Sequence, residues 1–90
     1  MNNIVVEVRR QNVETQANRF CKQNGGNAVV VYDGKLGIIM VYYNFTLNGE
    51  KMQAVVPITL SEASKVTVYS TIVRRIAGEI YETIREDREL

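Results

Sequence analysis

Two short glycine turns lie on either side of an apolar stretch in the middle of the chain, and this arrangement constrains the fold more than any other feature. The dipeptide Asp33-Gly34 precedes the stretch and Asn48-Gly49 follows it. Both dipeptides favour tight hairpin turns, because the central residues of such turns take positive φ. We therefore predict a three-stranded antiparallel meander with strands Ala28–Tyr32, Lys35–Leu47 and Glu50–Ile58.

The register of the two hairpins decides which side chains share a face of the sheet. With Asp33-Gly34 as a two-residue loop, Val30 lies opposite Gly37. The second turn likewise places Val41 opposite Val56. One face, the inner face, is then a continuous apolar wall for helices to cover, made of Ala28, Val30, Ile39, Val41, Tyr43, Phe45, Met52, Ala54, Val56 and Ile58.

The opposite face of the sheet, the outer face, is apolar at one end and polar at the other. A two-layer domain has helices for only one face of its sheet, so we expect this apolar block to meet another chain. The alternative is a three-layer monomer, in which the short helix covers the outer face. The interface residues predicted on this face are Val29, Val31, Leu36, Ile38, Met40, Tyr42 and Val55.

Beyond Pro57 the apolar residues recur every three or four positions, which is typical of an amphipathic helix. Thr59 and Glu62 have the spacing of a capping box, so one long helix is predicted from Leu60 to about Arg85. At about 1.5 Å per residue, this helix is longer than the strands that it covers, and its end needs a partner. That end adds Ile80, Tyr81 and Ile84 to the predicted protein interface.

The beginning of the chain is compatible with two structures. The β-branched residues of the segment 3–9 alternate with polar ones and favour a fourth strand over a helical turn. A short helix follows, with Asn12 as its cap and Gly25 at its end. The predicted fold is an α+β two-layer sandwich: a three-stranded antiparallel meander, with or without the fourth strand, packed against a short N-terminal and a long C-terminal helix.

Length, charge and cysteine content limit the class of protein. A chain of 90 residues suits one domain, and we predict a single domain over residues 1–90. A formal net charge of +1 provides no general attraction to nucleic acid or membranes. No apolar run reaches the roughly 18 residues of a membrane span, and the N-terminus lacks the order of a secretory signal. With Cys21 as its one cysteine, the chain is expected to be cytoplasmic and to bind no membrane.

The residue types needed for catalysis are mostly missing. The chain has no histidine, which removes the commonest general base and metal ligand. Cys21 lies on the apolar side of the short helix, where a buried thiol is expected rather than a nucleophile. We therefore predict a protein with no enzyme activity, no catalytic residue, no cofactor and no metal site.

The order helix, three antiparallel strands, helix resembles in outline the double-stranded RNA-binding domains and the small dimeric nucleoid-associated proteins of bacteria. The RNA-binding family contacts phosphates through a lysine cluster at the start of its last helix, and it has a loop histidine. Here that turn reads TLSEASK, with Glu62 and only Lys65, and histidine is absent. The resemblance therefore implies a fold and transfers no functional residue.

These observations favour a small protein-binding module, an adaptor, regulator or inhibitor, that forms a homodimer through the outer face, the long helix or both. Its size suits an accessory factor, such as those of phages and mobile elements. The alternative function is a nucleic-acid-binding dimer, in which two copies join their basic pairs into one surface made of Arg9, Arg10, Arg74 and Arg75.

Overall fold

Helices cover one face of a three-stranded antiparallel sheet in the computed structural model, which describes the backbone of residues 3–89 and the side chains of residues 3–86. The strands follow each other in the sheet in chain order. This α+β arrangement confirms the predicted fold class. The elements are α1 (Asn3–Asn24), β1 (Asn27–Asp33), β2 (Ile38–Leu47), β3 (Glu50–Thr59), α2 (Leu60–Ala63) and α3 (Val68–Glu89).

The hairpin between β2 and β3 has the predicted two-residue turn. Asn48 and Gly49 both take positive φ, at 52° and 83°, and they close the pair formed by Leu47 and Glu50. Asparagine and glycine are the residues that adopt this backbone conformation at the lowest cost. The predicted register is confirmed for Ile39 with Ile58, Val41 with Val56, Tyr43 with Ala54 and Phe45 with Met52.

The hairpin between β1 and β2 has a longer loop than predicted. Asp33 pairs with Ile38, so Val30 lies opposite Val41 and not opposite Gly37. The carboxylate of Asp33 explains the longer loop, because it accepts two backbone N–H groups from the loop at 2.9 and 3.1 Å. The register differs from the predicted one by four residues. Since this number is even, every side chain keeps its predicted face.

The core lies between the inner face and the helices, and its outermost members are only partly buried. Both α1 and α3 pack on this face, so the three-layer alternative is not adopted. Ala28 and Phe45 pack against the core without being fully buried, as does Cys21. The buried apolar residues are Val13, Ala17 and Phe20 of α1; Val30, Ile39, Val41, Tyr43, Ala54, Val56 and Ile58 of the sheet; Ala63 of α2; and Val68, Ile72 and Ile76 of α3.

The segment 3–9 is helical, so the predicted fourth strand is wrong, and α1 is a long helix of 22 residues rather than a short one. Its β-branched residues continue a helix whose later turns are held in the core. The carbonyl of Val30 on β1 is also occupied, by the side chain of Arg10. As a result Ile4, Val5 and Val8 are exposed on the first turns of α1.

The predicted helix from Leu60 is interrupted after one turn. The capping box is confirmed, since the Thr59 hydroxyl accepts the Glu62 N–H at 3.1 Å and the Glu62 carboxylate accepts the Thr59 N–H at 3.0 Å. An unbroken helix would need the Ala63 carbonyl for its next backbone bond. The side-chain amide of Asn12 donates to that carbonyl at 2.6 Å instead. Val66, which lies between α2 and α3, is fully exposed.

Candidate protein-binding face

The outer face of the sheet presents two uncharged rows of side chains to solvent. Cross-strand pairing sets the rows, because residues directly opposite each other point to the same side. Val29 and Val31 are each about half exposed, at 48 % and 47 %, although valine is usually buried. We call these two rows the apolar rows; they consist of Val29, Tyr42 and Val55, and of Val31, Met40 and Pro57.

The structure brings most of the predicted interface residues together. Six of the seven predicted for the outer face lie on its strands, and the seventh, Leu36, is exposed in the loop between β1 and β2. Pro57 was missed, although its position two residues after Val55 on the same strand places it on this face. The other three predicted residues, Ile80, Tyr81 and Ile84, belong to α3 and therefore to the opposite layer.

An arginine from α1 occupies one backbone carbonyl on the free edge of β1. The Arg10 guanidinium donates to the carbonyl of Val30 at 3.1 Å. Two carboxylates hold it there, Glu7 at 2.8 Å and Glu14 at 3.0 Å. These contacts raise the pKa of Arg10, and the Arg10 guanidinium lowers the pKa of Glu7. A second chain therefore cannot use the Val30 carbonyl to extend the sheet.

An arginine from α3 and a glutamate from α2 occupy the last two outward positions on the free edge of β3. Next to a two-residue turn, cross-strand pairs alternate between hydrogen-bonded and non-hydrogen-bonded. Pro57 belongs to a non-hydrogen-bonded pair, so its backbone faces the free edge of β3, where proline provides no N–H. Its carbonyl accepts the Arg75 guanidinium at 2.7 Å. Glu62 accepts two hydrogen bonds from Arg75. Its carboxylate also accepts a hydrogen bond from the backbone N–H of Thr59, which lies two residues after Pro57 on the same edge. The Arg75 guanidinium and the Thr59 N–H together lower the pKa of Glu62 to about 2.

These edge contacts give a structural role to two of the four arginines predicted to form a basic surface. Arg10 and Arg75 lie at opposite edges of the sheet, each held by glutamate. No ion pair involves Arg9 or Arg74 within the part of the chain that the structure describes. Two of the four predicted phosphate ligands therefore neutralise carboxylates of their own chain. Sequence reasoning missed this role, because the partners of Arg75 lie 13 and 18 residues away.

Replacing Glu62 by glutamine is expected to lower the free energy of unfolding near pH 7 by about 1–2 kcal/mol, because the partly buried pair with Arg75 loses its negative charge. The pKa of Glu62 is about 2 when folded, below its ordinary value of 4.5. The stabilisation is therefore present above about pH 4.5 and is lost as the pH falls toward 2. Urea unfolding at fixed protein concentration measures the difference between the two proteins.

The difference between wild type and Glu62→Gln should shrink as the pH approaches 2. The matched control is Glu79→Gln on the exposed side of α3, with an expected change within about 0.5 kcal/mol. A difference that is equally large near pH 2 and pH 7 would contradict the assigned role of the charge.

The single thiol of the chain has the environment of a packing residue. Cys21 is partly buried against the core, and burial raises its pKa. A raised pKa leaves less of the thiolate that acts as a nucleophile. Within residues 3–89, no helix is long and apolar enough to cross a membrane.

Comparison with known proteins finds no match: no protein family, no curated protein and no solved structure is similar to this chain.

Proposed function

We propose that the chain is a cytoplasmic, non-enzymatic protein-binding module, an adaptor, regulator or inhibitor, whose outer face packs against another protein surface. The supporting observation is the pair of solvent-facing apolar rows without a charged member. The largest contiguous apolar patch on a protein surface is often a contact site. Each Å² removed from water contributes about 25 cal/mol to association.

The size of the outer face sets the expected strength of binding. Three strands about 4.8 Å apart and eight residues long at about 3.4 Å each give a projected area on the order of 400 Å². A typical stable interface buries about 800 Å² on each partner. The outer face alone therefore supports a small interface, and we expect a dissociation constant in the micromolar range.

The occupied edge positions affect how a partner can approach. Sheets commonly bind partners by accepting an extra strand at an edge. Here Arg10 occupies the edge carbonyl of β1 at Val30, and the pair of Arg75 and Glu62 occupies the edge of β3 at its last two outward positions. The outer face has no such cover among the described residues. Face-to-face packing is therefore the mode that the geometry supports best. The nucleic-acid alternative stays a prediction.

A photo-crosslinking amino acid at position 42 tests this proposal. Benzoylphenylalanine in place of Tyr42 puts the reactive group within the apolar rows, and the same group at Lys22 on the exposed side of α1 is the matched control. Irradiation of cells of the organism that naturally makes the protein should give a covalent adduct with a defined protein from position 42 only. Adding Met40→Asp should abolish that adduct. No adduct from position 42, or equal adducts from both positions, would contradict the proposal.

A further inference from the structure

We infer that the occupant of the outer face is a second copy of this chain, packed face to face around a two-fold axis that crosses β2 midway between Met40 and Tyr42. The inference rests on the proposed function, because it names the partner of the same surface. A two-fold axis parallel to the sheet turns one copy over onto the other, so that equal faces meet. The partner then has the same size and the same lack of charge as the apolar rows.

The charges on the outer face permit this packing. Among the described side chains that alternate onto this face, only Asp33 and Lys51 are charged. Asp33 ends β1 at one end of the sheet, and Lys51 begins β3 at the other end. Along β3 the two ends are eight residues apart, or about 27 Å. The apolar rows lie between these two ends. The apolar rows of two copies can therefore meet without bringing any charge into the contact.

The direction of the strands makes the two ends complementary. When the axis crosses the strands, the strands of the two copies run antiparallel. The end that contains Asp33 in one copy then lies toward the end that contains Lys51 in the other. Opposite charges at the rim of a contact favour correct orientation, while like charges at the same ends would oppose it. The distribution of charge on the outer face is therefore compatible with self-association.

Other modes of self-association are less favourable on this surface. Edge-to-edge pairing is interrupted at Val30 of β1 and at Pro57 and Thr59 of β3, whose backbone groups Arg10, Arg75 and Glu62 already occupy. A different protein would need an uncharged surface of matching size, and the outer face itself is such a surface. The central strand β2 supplies Met40 to the middle of the apolar rows. In a symmetric contact, residues near the axis meet their own counterparts.

Engineered cysteines and a short bismaleimide crosslinker test the symmetry directly. In a Cys21→Ala background, Met40→Cys is expected to form a covalent dimer with this crosslinker at least tenfold faster than Val66→Cys. Val66 is the matched control, because it is fully exposed in the loop before α3 and lies off the outer face. Facing sheets lie about 10 Å apart, which is too far for a direct disulfide but within the span of a short bismaleimide, so only positions near the axis should crosslink efficiently.

A second position keeps the test decisive if Met40→Cys folds poorly. Tyr42→Cys, one row along β2, should then show the same excess over Val66→Cys. Equal rates at all three positions would overturn the inference. If position 42 crosslinks to a different protein while neither cysteine dimerises, the inference fails and the proposed function stands. If position 42 gives no adduct at all, the proposed function fails as well.

Discussion

Gly26→Ala is expected to lower the free energy of unfolding by about 3 kcal/mol, the largest loss that we expect from removing one backbone feature. Gly26 has a φ of +78°, a backbone conformation that is strained for residues with a side chain. A Cβ atom there would lie 2.5 Å from the carbonyl oxygen of Asn44 and 2.9 Å from the hydroxyl of Tyr43. The carbonyl belongs to the backbone of β2 and cannot rotate away, so the strand itself has to shift.

The added Cβ atom at position 26 would also displace the side chain of Tyr43, which belongs to the core. This side chain is buried, donates its hydroxyl to the carbonyl of Gly25 at 2.7 Å and meets the Phe20 ring edge-on at 5.0 Å. The same contacts join the end of α1 to the centre of the sheet. Moving Tyr43 therefore loosens both the tight connection between α1 and β1 and the packing beneath it.

Gly25→Ala is the matched control for this prediction. Gly25 has a similar φ of +84°, but a Cβ atom there meets nothing within 4 Å. Its replacement should cost only the backbone strain, about 1 kcal/mol. Chemical denaturation of both variants at one protein concentration gives the comparison. Equal losses for the two variants would show that the close approach of Gly26 to β2 does not matter for stability.

Met40→Asp is expected to raise the dissociation constant of the homodimer at least a hundredfold, or about 2.7 kcal/mol. The reason is that each dimer would bury two unpaired carboxylates in the middle of uncharged rows, which is costly without a partner charge. Met40 lies on the outer face and outside the buried core. The fold of the single chain should therefore persist, which circular dichroism can check. Sedimentation equilibrium measures the dissociation constant.

Two further variants make the result for Met40→Asp specific. Val66→Asp introduces the same charge at a fully exposed apolar residue away from the outer face, and it should leave association unchanged. Val29→Glu places a charge in the neighbouring apolar row on β1 and should weaken association as Met40→Asp does. If Met40→Asp and Val29→Glu associate like the wild type, the outer face is not the contact.

The two faces of the sheet could be assigned from the sequence even where the pairing could not. The loop after Asp33 is longer than its dipeptide predicts, because the Asp33 carboxylate binds loop N–H groups that no turn rule includes. The error displaced partners by four residues and left the faces intact, since side chains alternate with a period of two. Strand alternation is thus a more robust signal than turn length.

Predictions that failed did so where a distant residue decides the local structure. The helix predicted from Leu60 breaks because Asn12, 51 residues earlier, binds the carbonyl of Ala63. The fourth strand fails although Ile4 and Val8 favour one, because their segment continues a helix anchored in the core. Long-range contacts of this kind leave no local pattern, so a single sequence does not reveal them.

The candidate site likewise has one feature that the sequence predicted and one that it did not. The apolar rows follow from alternation along three strands, and the sequence located them apart from Pro57. The contacts of Arg10 and Arg75 with the edges of the sheet depend on helix packing, whereas their predicted role in phosphate binding came from the two basic pairs in the sequence. The internal ion pairs of these residues appear only when α1 and α3 are placed over the sheet.

The solution mass of the wild-type protein, measured by light scattering across a dilution series with no nucleic acid present, tests the central claim most directly. Self-association through the outer face predicts a mass that rises from near 10.2 kDa for one chain to about twice that value as the concentration passes through the micromolar range. The Met40→Asp variant should stay at the mass of one chain throughout. A wild-type mass of one chain at every concentration would contradict self-association through this face.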